Sequence, residues 1–146
     1  KRSMPISNFF KLDGMTRNVL EPGELITHIT LPSDSKEWQG DYQKLRQRES
    51  WDFPEAGVAV LWKSNPEKEP IQLRVATTGL ESIPILHEDE SKSALENWEG
   101  VSSVDELAES IKKAVKPVKN TWFSPPYRKK MVKVLTKRAC RGLLVS

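Results

Sequence analysis

The alternation of hydrophobic and polar positions changes period near the middle of the chain. Between residues 24 and 79, apolar side chains recur at every second position, the pattern of a β-strand with one buried face. It predicts four strands, over residues 25–31, 41–48, 56–62 and 71–77. The apolar positions of the last two strands are Ala56, Val58, Val60 and Trp62, and Ile71, Leu73 and Val75. The short connections between consecutive strands favour an antiparallel sheet.

From residue 88 onward the apolar positions follow the period of an α-helix. Asp89 is positioned to cap a first short helix, and Gly100 to end it. Ser103 and Glu106 form a capping box for a second helix, and a third begins near Pro125. The apolar faces of the last two are Val104, Leu107, Ala108, Ile111 and Val115, and Tyr127, Met131, Val134, Leu135, Ala139, Gly142 and Leu143. Strands followed by helices predict an α+β fold: an antiparallel sheet of three to four strands, then three helices packed on one face.

We therefore expect a single domain over residues 1–146, with a leading segment (1–23), a sheet (24–79) and helices (88–146). A chain of 146 residues that is 37% hydrophobic and 29% charged can bury a core of its own. It has no apolar run long enough for a transmembrane helix or a signal peptide, so we expect a soluble, cytoplasmic protein. One cysteine and two histidines argue against an internal disulfide or a zinc site.

The charges are distributed unevenly along the chain, although the net charge is only +3. From residue 110 to the end there is no Asp or Glu. The basic residues of this region are Lys112, Lys113, Lys116, Lys119, Arg128, Lys129, Lys130, Lys133, Lys137, Arg138 and Arg141. One interpretation is an electrostatic match between these residues and the acidic residues of the preceding helices. The other is a surface for nucleic acid, a phosphate-bearing ligand or an acidic protein.

The second predicted strand carries the most unusual chemistry of the chain. Tyr42, Lys44, Arg46 and Arg48 share one of its faces, because side chains two positions apart point the same way. Three cations in a row repel one another unless water or an anion lies over them. The face therefore either meets a phosphate, a flavin or a carboxylate, or is solvated and paired with nearby acids such as Asp52.

The remaining reactive side chains predict structural roles. We expect His28 to be packed and hydrogen-bonded in its strand, His87 to lie on the surface and Cys140 to be a buried, inert thiol. The sequence contains no P-loop, dinucleotide-binding, serine-hydrolase or zinc-protease motif. We therefore predict no catalytic residue and no metal ligand, and expect part of an enzyme rather than a self-sufficient one.

Several stretches, in order along the chain, resemble the flavin subunits of molybdenum hydroxylases, the xanthine, carbon monoxide and aldehyde dehydrogenase family. Phe9-Phe10 followed by EPGELITHITLP (residues 21–32) is similar to the family's "FF … pGELIt-I-lP". YQKLRQRESWDF (residues 42–53) is similar to "y-K-x-R-x-R-x-S-x-d-f". VATTG (residues 75–79) with Pro84 matches "r-va-gG … P", and residues 127–139 match the closing "YR … vl-kRAl" helix.

The resemblance implies a C-terminal domain like that of the carbon monoxide dehydrogenase flavoprotein. The N-terminal FAD domain, which holds most of the FAD, has no counterpart here, so we expect a chain cut from a longer polypeptide or a domain whose partner is encoded separately. By this resemblance Lys44 would approach the flavin ring. Arg46 and Arg48 would have structural roles behind it, with Arg48 pairing with Asp52 or contacting the neighbouring domain. The implied partners are the N-terminal FAD domain, a molybdenum large subunit and an iron–sulfur small subunit, which carry the molybdenum cofactor and the iron–sulfur clusters.

The implied role is electron transfer. Electrons pass from molybdenum through the iron–sulfur clusters to FAD, and this oxidoreductase domain forms one wall of the flavin site, without activity as an isolated fragment. The alternative is a basic nucleic-acid-binding or assembly domain without catalytic activity. That alternative lacks an RNA-binding sheet motif, and only Trp122 and Phe123 are placed to stack on bases. The substrate, the electron acceptor and the oligomeric state stay open.

Overall fold

The computed structural model describes residues 1–49 and 51–144. Its strands are β1 (Gln39–Leu45), β2 (Ala56–Ser64), β3 (Pro70–Thr78) and β4 (Ile85–Leu86), and its helices are α1 (Glu88–Glu96), α2 (Val101–Ala114), α3 (Pro125–Ala139) and the single turn α4 (Arg141–Leu144). Short 3₁₀ turns lie at Ile6–Asn8 and Ser35–Glu37. The strands form one antiparallel sheet in the order β1-β2-β3-β4. The predicted α+β fold, an antiparallel sheet followed by helices, is confirmed.

The core lies between one face of the sheet and the helices. Alternate residues of β2 supply its centre, because every second side chain of a strand points to the same face. The buried apolar residues of the strands are Ala56, Val58, Val60, Trp62, Leu73 and Val75, and those of α2 and α3 include Val104, Leu107, Ile111, Val132, Leu135 and Ala139. Removing this apolar area from water stabilises the fold by about 25 cal/mol per Å². The predicted inward faces of β2 and α2 are confirmed.

The predicted face of β3 is correct except at its first residue. Ile71 is exposed, whereas Leu73 and Val75 are buried. The register between β2 and β3 shifts at Lys63/Ser64, so that Ser64 pairs with Pro70 while Lys63 pairs with Gln72. An extra residue in one strand breaks the alternation of its side chains, and this irregularity turns Ile71 toward solvent.

The predicted strand over residues 25–31 is wrong, so the sheet begins at Gln39 rather than at residue 24. None of residues 1–34 is buried, and Leu25, Ile26, Ile29 and Leu31 are exposed. An alternating sequence becomes a strand only when a neighbour takes up its backbone hydrogen bonds, and the described part of the chain offers these residues no partner strand. His28, expected to be packed in that strand, is exposed for the same reason.

The helix starts differ from those predicted. Helix α1 begins one residue before Asp89, with His87 at its N-cap, and α2 begins at Val101, before the expected capping box. Ser103, in the first turn of α2, instead accepts a hydrogen bond from the amide of Glu99 in the connection before the helix (2.7 Å). Gly100 is predicted to end α1 but lies directly before the first residue of α2. Its φ is 62°, a conformation that glycine adopts without strain.

Candidate functional site

The sheet face away from the helices is open around β1 and β2. Tyr42 and Lys44 lie on it, since their β2 partners Ala59 and Gly57 alternate with the buried core residues. The Tyr42 side chain lies across Gly57: a Cβ added there would come 2.5 Å from the Tyr42 hydroxyl oxygen. Tyr42 is 48% exposed, and the partial burial of its hydroxyl raises the pKa of Tyr42. The surface formed by Tyr42, Gly57 and Ala59 is called the shelf, and Lys44 lies beside it near the end of β1.

Lys44 is held in place by a neutral acceptor. Its half-buried side chain donates a hydrogen bond from Nζ to the main-chain carbonyl of Asp52 at 3.0 Å. A carbonyl orients the ammonium group without cancelling its positive charge. Lys44 therefore presents a fixed cation beside the shelf.

The loop that follows β1 is organised by one carboxylate. Asp52 accepts hydrogen bonds from the amides of Gln47 (3.2 Å), Arg48 (2.9 Å) and Phe53 (2.9 Å), and from Arg48 Nη2 (3.1 Å). The Arg48 guanidinium and these amides hold the pKa of Asp52 far below its usual range. The same pair raises the pKa of Arg48. The suggested pairing of Arg48 with Asp52 is therefore present.

The predicted row of cations does not continue along the strand. β1 ends at Leu45, so Arg46 and Arg48 lie on the exposed loop rather than on the face of Lys44. Side chains such as Asp52 that bind nearby amides compete with the strand ladder and turn the chain into a loop. Ser50, part of the quoted motif, lies outside the described residues.

A cavity of about 390 Å³ lies beside this loop. Its lining residues are Gln47, Arg48, Asp52, Phe53, Pro54, Glu55, Thr121 and Trp122. Phe53 and Trp122 are 85% and 88% exposed, an unusual position for large aromatic side chains. Trp122 was one of the aromatic residues expected to be free to stack, whereas Phe123 packs against Tyr127 with ring centroids 5.1 Å apart.

Arg128, which the sequence pattern did not select, is completely buried. Its guanidinium donates to the carbonyl oxygens of Glu55 (2.7 Å), Gly79 and Val118 (2.7 Å) and to Asn120 Oδ1 (3.3 Å). Burial lowers the pKa of Arg128, and the Glu55 carboxylate, 3.9 Å from Nε, opposes that effect. A buried charge persists only where such partners replace water.

Of the three side chains expected to be structural, Cys140 lies where predicted, whereas His28 is exposed and His87 is buried, both contrary to the prediction. Cys140 is buried, and burial raises the pKa of its thiol to about 12, so it is the inert thiol expected. His87 is buried as well, contrary to the surface position predicted for it. Its Nε2 lies 2.9 Å from the Thr77 hydroxyl, and its Nδ1 lies 3.8 Å from the Glu90 carboxylate.

The basic residues near the end of the chain match acids on α2. Glu109 binds Lys112 (2.8 Å) and Lys133 (2.7 Å), and Asp105 binds Lys137 (2.6 Å). The two lysines lower the pKa of Glu109 to about 2. These ion pairs support the interpretation of an internal electrostatic match between the helices.

The described residues, 1–49 and 51–144, show neither a cluster of metal ligands nor a membrane-spanning helix. They contain no group of three or more His, Cys, Asp or Glu side chains placed to hold a metal ion. None of their helices is long and apolar enough to cross a membrane.

Solved structures share this fold. The carbon monoxide dehydrogenase of Oligotropha carboxidovorans superposes with a TM-score of 0.79 and 21% identity over 94% of this chain. The carbon monoxide dehydrogenase of Hydrogenophaga pseudoflava superposes with a TM-score of 0.66 and 20% identity over 76% of this chain. Quinoline 2-oxidoreductase from Pseudomonas putida 86 superposes with a TM-score of 0.62 and 17% identity over 74% of this chain. No protein-family model matches the sequence. The chain covers 47%, 38% and 38% of these three chains, so it spans less than half of their length.

Proposed function

We propose that this chain is the C-terminal domain of the FAD-binding subunit of a molybdenum hydroxylase, and that its open sheet face forms one wall of the flavin site. The likeness of fold to carbon monoxide dehydrogenase, over 94% of the chain, agrees with the ordered motifs of the sequence. One observation carries the assignment of the site. Lys44, on the motif strand, is held by a neutral carbonyl acceptor beside the shelf.

The residues of the shelf fit one wall of a planar ring. Gly57 and Ala59 carry little or no side chain above β2, and Tyr42 covers Gly57. FAD, when bound, would accept electrons from the partner subunits and pass them to an external acceptor. Lys44 would favour the negative charge that the ring gains on accepting electrons, because a fixed cation stabilises charge that develops beside it. Asp52 would keep Lys44 in position through its carbonyl, and Arg48 would keep Asp52 in position.

The phosphates of FAD are assigned to the N-terminal domain of the same subunit. The glycines of this chain are isolated in the sequence, so no glycine-rich loop can cradle a pyrophosphate here. The exposed apolar side chains of residues 25–31 would pack against that domain. The molybdenum and iron–sulfur subunits complete the proposed cytoplasmic complex. Arg46 and Arg48 would have structural roles in the loop after β1.

The test is the flavin reduction potential of the full-length subunit loaded with FAD. Lys44→Met removes the cation and keeps the length of the side chain, so we expect the potential to fall by tens of millivolts, on the order expected for one partly screened charge near the ring. Lys44→Arg should restore most of it. Lys130→Met, at an exposed position of α3, is the matched control and should leave it unchanged. An unchanged potential in Lys44→Met would remove Lys44 from the flavin site.

A further inference from the structure

Arg128 binds residues in or next to both sides of the cavity whose lining includes Asp52, the hydrogen-bond acceptor of Lys44. One side, which leads into β2 and is called the strand wall, is formed by loop residues 52–55 together with Gln47 and Arg48. The other side, which lies in the connection between α2 and α3 and is called the helix wall, is formed by Thr121 and Trp122. Arg128 Nε donates to the carbonyl of Glu55, the last residue of the strand wall, at 2.7 Å. Its Nη1 donates to the carbonyl of Val118 and to Oδ1 of Asn120, the residue directly before the helix wall. One buried guanidinium therefore ties the two walls together.

The strand wall is also held from β3. Arg128 Nη2 donates to the carbonyl of Gly79, and a Cβ added to Gly79 would come 2.6 Å from the Pro54 carbonyl oxygen. Gly79 therefore packs directly against the strand wall, with a φ of 76°. Arg128 thus holds both the end of β3 and the residue before β2 at fixed positions.

The contacts continue from the strand wall to Lys44. The amide of Glu55 donates to the carbonyl of Leu45 at 2.8 Å, which closes the loop after β1. Leu45 is the residue after Lys44, and Asp52 of the strand wall accepts the hydrogen bond from Lys44 Nζ. A displacement of the strand wall would therefore move both the backbone next to Lys44 and the acceptor of its ammonium group.

We propose that Arg128 is a positioning residue, which couples the two walls of the cavity and thereby fixes Lys44 at the open sheet face. This inference rests on the proposed function for the role of Lys44, but the coupling of the walls can be measured without any flavin. A guanidinium suits the task, because its donors point in several fixed directions in one plane, whereas an ammonium group is a compact charge on a flexible stem. Lysine at this position keeps the charge and cannot reach both walls in the same way.

The first measurement is backbone hydrogen exchange of the 146-residue chain. In Arg128→Lys we expect exchange to accelerate at least tenfold at residues 47–55 and 118–122, since local opening of these segments becomes easier. Leu135→Ala is the control: it removes buried side-chain atoms from the same helix without touching either wall, so it should accelerate exchange in the core but not in those segments. Asn120→Ala is a milder variant, available if Arg128→Lys does not fold, and should affect residues 118–122.

The second measurement is the flavin potential of the full-length subunit. Arg128→Lys should shift it in the direction of Lys44→Met, and Leu135→Ala should not shift it. Unchanged exchange at residues 47–55 would overturn the coupling. Suppose that Lys44→Met shifts the flavin potential, whereas Arg128→Lys accelerates exchange but leaves the potential unchanged. Arg128 would then have no role in positioning Lys44, and the proposed function would stand. If Lys44→Met has no effect, the proposed function fails, and the exchange result alone decides whether Arg128 couples the walls.

Discussion

Protonation of one buried histidine should lower the stability of this fold as the pH falls below 6.5. His87 lies at the start of α1, where its amide donates to the Val75 carbonyl (2.8 Å) and its Nε2 meets the Thr77 hydroxyl (2.9 Å). Burial lowers the pKa of His87, and the carboxylates that face it, Glu90 on α1 and Glu81 between β3 and β4, offset only part of that effect. The folded protein therefore prefers the neutral imidazole.

The sign and the limit of the effect follow from proton linkage. The unfolded chain takes up a proton near pH 6.5, whereas folded His87 does so at a lower pH, so the unfolded state binds more protons in between. The stabilisation is complete above pH 6.5 and is lost as the pH falls toward the pKa of the folded state. A single site changes the free energy of unfolding by at most about 1.4 kcal/mol per pH unit.

Urea unfolding at half-unit steps from pH 5 to 7.5 measures this slope. In His87→Gln the amide can still bind Thr77 but does not titrate, so the slope between pH 5 and 6.5 should flatten. His28→Gln replaces the other histidine, which is exposed, and should leave the slope as it is. Equal slopes in the unsubstituted chain and in His87→Gln would refute the reasoning.

Three further predictions concern other parts of the fold. Gly79→Ala should lower the free energy of unfolding, measured by urea titration, by at least about 1–2 kcal/mol, because φ is 76° and the new methyl group meets the Pro54 carbonyl. In the control Gly14→Ala the new methyl group meets no atom within 4 Å, so the free energy of unfolding should change little. Cys140 should react with iodoacetamide at pH 8 only as fast as the chain unfolds, since its thiol is buried with a pKa of about 12; rapid labelling of the folded chain would contradict this. The pairs of Glu109 contribute stability above pH 4.5 that is lost as the pH falls toward 2, so Glu109→Gln should reduce the loss of stability in acid, and an unaltered acid transition would show that these pairs contribute nothing.

The parts of the fold that could be predicted are those governed by repeated apolar burial. Val58 and Val60 on β2, and Leu107 and Ile111 on α2, obey the period of their element and are all buried. The segment 25–31 obeys a strand period equally well and is exposed, because the pattern contains no information about whether a partner strand is present. Periodicity therefore predicts which face of an element is apolar, and tertiary contacts decide whether that face is covered.

The sequence pattern predicts the position of Lys44 but not the residues that hold its side chain in place. Lys44 follows from strand alternation alone, since its neighbour Leu45 packs against the core and it must point the other way. The end of β1 depends on Asp52, seven residues further along the chain, whose carboxylate collects the loop amides. No local sequence pattern shows that the Asp52 carboxylate takes the amides of Gln47 and Arg48, because these contacts form only in the folded loop.

Buried polar residues account for the largest errors, and they share one physical cause. His87 is predicted on the surface, and Arg128 counts only as one of the basic residues near the end of the chain, because an apolar pattern does not identify a buried charged or titratable side chain. Each is buried where acceptors from distant segments converge: the carbonyls of Glu55 and Gly79 around Arg128, and the Thr77 hydroxyl beside His87. Such convergence exists only in the folded chain. The residues that connect the elements around the open sheet face are therefore those that a one-dimensional pattern does not identify.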